Sequence, residues 1–146
     1  MLKHKLVLAA ALAASVVADP ALAQDPENEL RFNAGVRLLR DGFPERALTE
    51  IQGVLKKDPQ NAFYLKALGI TYSQLADKCK PNDSGCRNNN FKKAAEAAQQ
   101  ALSFNPDYVD VRNDLGIALL RLGKRTDGKA ELARAFADPQ CPTPEV

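Results

Sequence analysis

Three glycines constrain this chain more than any other feature. Gly35, Gly69 and Gly116 sit inside leucine- and alanine-rich runs, in "NAGVRLL", "KALGITY" and "NDLGIAL". The first two are 34 residues apart; the next interval is 47, which is 34 lengthened by 13. After each comes a second run: "RALTEIQGVLKKDP", "KAAEAAQQALSFNP" and "GKAELARAFADP". Apolar residues recur three and four apart in both runs, the mark of amphipathic helices. Pro59 and Pro106 close their units, because a helix is disfavoured at the residue before proline. A period of this length means stacked pairs of helices, each pair too small to bury its own apolar face. The fold class is therefore all-α. The glycine of the first helix lets the second pack closely, with small residues opposite at Ala47, Ala94 and Gly128. Gly42 and Gly123 mark the turn between helices, where positive φ is needed.

The length of 146 residues suits one domain, and a 45% hydrophobic content supports a core. A formal net charge of +2, with both signs mixed along the chain, argues against a nucleic-acid surface, which needs a concentrated basic stripe. At the N-terminus, Lys3, His4 and Lys5 precede an apolar run from Leu6 to Ala18. Asp19-Pro20 breaks it, and Ala21-Leu22-Ala23 supplies small residues before Gln24. This pattern predicts a secretory signal peptide over residues 1–23, cleaved after Ala23, and hence an exported, periplasmic protein. The run is too short for a stable membrane span, which needs roughly 20 apolar residues. Cleavage removes His4, the only histidine.

The repeat resembles the tetratricopeptide repeat family. The residues that carry the resemblance are Ala34-Gly35, Leu68-Gly69 with Tyr72, Leu115-Gly116, Ala47, Ala94, Gly128, Ala101, Ala135, Pro59 and Pro106. It departs from the family pattern where an aromatic residue often stands early in the first helix; here the positions hold Arg31, Leu65 and Arg112. Gln140 also stands where a closing proline is usual, with Pro139 one residue early. The resemblance implies a right-handed superhelical array of three helix-turn-helix repeats in a domain spanning 24–140. The repeats run over about 28–61, 62–108 and 109–140, followed by a short tail, 141–146. The 13 extra residues of the middle repeat are expected as a long loop insertion over 77–90, with Asn88 to Asn90 capping a helix near Phe91.

That insertion holds two of the three cysteines. In an exported protein disulfides persist, and Cys79 and Cys86 flank a short polar turn. Cys141 follows the last helix, at the opposite edge of the array and about one helix length away, roughly 20 Å. A disulfide needs Cα atoms within about 7 Å, so the expected pair is Cys79–Cys86. Two cysteines without histidine do not make a zinc site, and no metal is expected.

Without histidine there is no Ser-His or Cys-His pair, and no glycine-rich phosphate loop or ligand cluster is present. Neither catalysis nor a cofactor is expected. The resemblance implies instead a non-enzymatic protein–protein interaction module that holds a peptide or helical partner in a concave groove lined by the first helices. Carried over by position, the groove would show Phe32, Val36, Leu39 and Arg40 from the first repeat. Phe63, Lys66, Ile70 and Gln74 follow from the second, and Asp110, Asn113, Ile117 and Arg121 from the third. Relatives that clamp a C-terminal carboxylate use Asn where this chain has Val36, Ile70 and Ile117. The apolar stripe suits a hydrophobic segment instead, with Lys66 and Arg121 favouring acidic flanks. Two alternatives stand beside this. One is an assembly factor for an envelope machine, since the tail weakly resembles the repeat lipoproteins that help build type IV pilus secretins. The other is a protein that associates with itself through the tail or Cys141. At the end of the array the last helix is expected to cap itself through Lys124, Arg125, Lys129 and Arg134, unless Pro142 and Pro144 lead into a truncated segment.

Overall fold

The computed structural model describes residues 25–137. Six helices fill them: α1 (Pro26–Arg40), α2 (Pro44–Lys57), α3 (Ala62–Lys78), α4 (Ser84–Phe104), α5 (Val109–Arg121) and α6 (Arg125–Phe136). The all-α class matches the expectation. The leader over 1–23, the tail over 141–146 and Cys141 lie outside the described residues.

Local chemistry sets the helix boundaries. The Asp25 carboxylate accepts a hydrogen bond from the Glu27 N–H at 3.1 Å, and Pro26 opens α1. Asn61 caps α3 by accepting from the N–H groups of Phe63 and Tyr64, at 3.0 and 3.2 Å. The first and third units turn alike. Gly42 and Gly123 have φ of 81° and 78°. Phe43 N–H donates to Leu38 O at 2.8 Å, and Lys124 N–H to Leu119 O at 2.9 Å.

The middle unit turns differently, and here the expected loop over 77–90 is corrected. In the repeat register Ala76 occupies the place of Gly42 and Gly123. It is helical and fully buried. With no glycine to reverse the backbone, α3 runs on to Lys78. The Asp83 carboxylate then accepts from Cys86 N–H at 2.8 Å and starts α4 at Ser84. Asn88 to Asn90 therefore lie inside α4 and do not cap it; Asn90 Nδ2 donates back to Cys86 O at 3.1 Å. Only residues 79–83 connect the two helices. Relative to the first unit, α3 ends four residues later and α4 begins seven residues earlier. The lengthened tip is anchored to the first unit by Lys78, whose ammonium donates to Gly42 O at 2.7 Å.

Each helix packs on the next in sequence, and α1 also touches α3, as α3 does α5. Among the described residues α2, α4 and α6 do not touch one another. The odd-numbered helices thus crowd one side of the stack. One core cluster gathers Phe32, Leu39, Ala47, Ile51, Val54 and Ala67 around the first unit. The other joins the second and third units through Leu65, four alanines of α4, Val111, Leu115, Ala118 and Leu119. At the α5–α6 crossing Gly116 faces Gly128: a Cβ on Gly116 would stand 3.0 Å from Gly128 O and 2.7 Å from Leu132 Cγ.

The missing aromatics have a structural substitute. Arg31 Nε lies 2.8 Å from Glu50 Oε2, and Arg112 lies 3.2 Å from Glu131 at the same register two units later. The corresponding pair in the middle unit is Leu65 and Ala97, both buried. An ion pair between the two helices of a unit replaces the usual ring in the outer units, and an apolar contact replaces it in the central one.

Candidate binding groove

Between α1 and α3, on the crowded side of the stack, lies an apolar cavity of about 330 Å³. Its lining comprises Phe32, Val36, Leu39 and Arg40 from α1 and Phe63, Lys66, Ala67 and Ile70 from α3. Seven of the twelve predicted groove residues meet here. Their roles are unequal. Phe32 and Leu39 are only 6% and 8% exposed and belong to the core, so they form the floor and not a contact surface. The Phe32 ring packs at 5.1 Å from Phe63 and 4.7 Å from Tyr64, centroid to centroid. Val36 and Phe63 keep 42% and 55% exposure and form the accessible rim. Ile70 is half-buried, packed in part against the first-unit core. The 34-residue period puts Val36 and Ile70 on adjacent helices facing the same space, which is why this part of the groove is legible from spacing.

The third unit does not extend the cavity. Ile117 is 45% exposed at the register of Val36 and Ile70, but it lines no wall of this space. Gln74 and Asn113 are half-buried and likewise absent from the lining. Asp110 is engaged instead: Lys66 Nζ donates to its Oδ2 at 2.9 Å and lies 5.1 Å from the centre of the Tyr108 ring. Lys66 thus spends its charge within the protein. Burial works to lower its ammonium, but the bond to Asp110, with the charges of Asp110 and Asp114, outweighs burial and raises it. Arg121 lies 5.6 Å from the Phe91 ring centre, against α4. Lys66 is thus held by Asp110, whereas Arg121 is exposed and lines no wall of this cavity.

One lining residue, Ala67, escaped the reading by position; a second residue, Asp114, lies outside the lining and acts on Lys66 through its charge. Ala67 lines the cavity because a small side chain two residues before Gly69 leaves room beside Phe32. Asp114, one turn beyond Asp110, is a half-buried carboxyl. Burial pushes it above the ordinary carboxylate value, and Asp110 adds to that while Lys66 opposes it. The alternation of Asp110 and Asp114 at helical spacing was the available signal.

Elsewhere, the structure brings Cys79, at the end of α3, and Cys86, in the first turn of α4, to a Cα separation of 6.0 Å, within the range a disulfide requires. Among the described residues no group of three His, Cys, Asp or Glu side chains could hold a metal ion, and no helix is long and apolar enough to cross a membrane.

Residues 87–142 match the family model of the tetratricopeptide repeat. The chain is 27% identical over 126 residues to a TPR repeat-containing protein of Pseudomonas aeruginosa, across 75% of this chain and 51% of that protein. It thus spans about half the length of that relative. Among solved structures it is similar to a thermophilic TPR protein of Thermus thermophilus, with a TM-score of 0.46 at 20% identity, covering 75% of this chain and 73% of that one. Over residues 87–142 the repeat thus matches the tetratricopeptide repeat. Domains built of it generally mediate protein–protein interactions.

Proposed function

We propose that this tetratricopeptide-repeat protein is a non-enzymatic binding module of the cell envelope that holds an apolar polypeptide segment between α1 and α3. The observation that carries the reading is the cavity itself. Its floor is core, its rim of Val36 and Phe63 is exposed, and its lining is apolar apart from Arg40 and the internally paired Lys66. An apolar side chain entering this space leaves water on every face, with Arg40 the one cation of the lining that is not held by Asp110. The exported location is supported by the leader pattern of residues 1–23.

A photo-crosslinking amino acid at Phe63 tests the groove in the envelope. It should yield polypeptide adducts, while one at Thr49, exposed on α2, should not. Val36→Asn and Ile70→Asn should abolish the Phe63 adducts, and Ile117→Asn should leave them intact. Far-UV circular dichroism of each variant checks that the array still folds. Adducts unchanged by Val36→Asn and Ile70→Asn would refute the groove.

A further inference from the structure

Among the described residues, the two most exposed large apolar side chains are Leu30, at 69%, and Phe136, at 62%. They lie at opposite ends of the array, and the repeat register relates both to the same kind of joint. Two internal joints bind the second helix of one unit to the first helix of the next, α2 to α3 and α4 to α5. On the second-helix side, Leu55 and Leu102 occupy equivalent positions and pack, partly buried, against the core. Phe136 is the third member of that series. On the first-helix side, Tyr64 packs against the first-unit core and Val111 is 1% exposed. Leu30 is the first member of that series. Its neighbour Ala34 is exposed as well, where Leu68 and Leu115 pack inward. The four charges expected to cap α6, Lys124, Arg125, Lys129 and Arg134, are all exposed, but beside them Phe136 keeps the apolar character of a joint.

We propose that the two ends are the halves of a third joint, and that a second copy of this chain completes it by laying its α1 against α6, head to tail. The internal joints fix the geometry, because short connections make α2 and α3, and α4 and α5, antiparallel. The same arrangement sets the end of α6 beside the start of α1. Arg134, exposed there though already paired with Glu131 of its own helix, then comes beside Glu27 and Glu29 of the first helical turn. Glu27 is held by Lys57, and Glu29 is in no ion pair among the described residues, so the charges at this end complement one another through Glu29. The opposite ends carry both signs on each side, Arg125 and Asp127 against Arg37 and Asp41. Such a contact is heterologous: each copy that joins offers a fresh α6 or α1, so association does not stop at a dimer.

Sedimentation velocity on the purified full chain tests this. The weight-average mass should climb with concentration beyond that of a dimer. Leu30→Lys and Phe136→Lys each spoil one half of the joint and should each weaken association by roughly tenfold to a hundredfold, the value of burying one large apolar side chain. Mixed in equal amounts, the two variants should form dimers and nothing larger, because each supplies the half that the other lacks. That rescue also shows that both variants are folded. A full chain that stays monomeric overturns the proposal, as does a mixture that forms no dimer. Association surviving in both single variants overturns it too and assigns self-contact to another segment. If removal of residues 138–146 alone triggers association, the tail covers α6 in the intact protein, and the proposal falls.

Discussion

The three repeat glycines allow a graded test of how closely the helices of each unit approach. Replacing an interior helical glycine by alanine relieves a backbone-entropy cost of about 0.5–1 kcal/mol, provided that the new Cβ has room. At Gly69 it does. The nearest atom would be Ala94 O at 3.4 Å, an ordinary contact. Gly69→Ala should therefore stabilise by roughly 0.5–1 kcal/mol. At Gly35 the Cβ would meet Ile51 Cγ1 at 3.1 Å and Glu50 Cβ at 3.3 Å, where a small shift cancels the gain. At Gly116 it would meet Leu132 Cγ at 2.7 Å and the Gly128 carbonyl oxygen at 3.0 Å. The leucine can turn aside, but the carbonyl moves only if α6 moves. Overpacking of this kind costs about 1–3 kcal/mol, so Gly116→Ala should end about 1–2 kcal/mol below the wild type after the helix gain is subtracted. The order of stability is thus Gly69→Ala, then Gly35→Ala, then Gly116→Ala. Urea denaturation followed by circular dichroism at 222 nm reads it, with the denaturant slope confirming an unchanged extent of unfolding. If Gly116→Ala proves as stable as Gly69→Ala, close approach does not explain the glycine at this repeat position.

Protein recovered from the envelope should begin at Gln24, and peptide mapping without reduction should find Cys79 linked to Cys86; an intact leader or a Cys141 crosslink would contradict this. Replacing both cysteines by serine should cost at most roughly 2–3 kcal/mol, the loop-entropy value for a short ring, and keep the helical signal. Asp114→Asn should raise the unfolding temperature at pH 7. Because burial holds the folded carboxyl above its ordinary value of 3.8, the folded state binds the proton more tightly than the unfolded chain. Wild-type stability therefore falls as pH rises from about 3.8 through the raised value and stays level above it. The advantage of Asp114→Asn should vanish below about pH 4, and a gap that persists there would point to a cause other than ionisation.

The period was legible because steric demands recur: a helix crossing needs a small residue wherever it occurs, so Gly35, Gly69 and Gly116 carry it openly. The tip of the middle unit misled because Pro81, Gly85 and three asparagines look like a loop when read by composition. The deciding position was Ala76, where the absence of glycine lets α3 continue, together with Asp83, spaced to cap a new helix. In the groove, register identified the face of each first helix but not its depth. Phe32 and Val36 share that face one turn apart, yet Phe32 is core and Val36 is rim, because only Phe32 reaches the rings of Phe63 and Tyr64. Nor does spacing reveal where a charge is consumed. Lys66 and Asp110 are 44 residues apart, and only the stacking of α3 on α5 joins them.

The tip of α3 and α4 also governs how this chain tolerates changes of length. Its additions come as four residues on one helix and seven on the other, close to one and two whole turns at 3.6 residues per turn. Added in whole turns, the extra residues prolong the faces already in contact, and Cys86 stays on the side of α4 that looks toward Cys79. Deleting a single residue between Cys86 and Phe91 would swing Cys86 about 100° around the helix axis, out of reach of its partner, while Phe91 and everything after it kept its place. Removing all four residues between Cys86 and Phe91 would bring Cys86 back to within about 40° of its phase. The hairpin can therefore lengthen or shorten by turns with its packing preserved, whereas a change of one or two residues breaks the sulfur contact first and leaves the repeat stack beneath it intact.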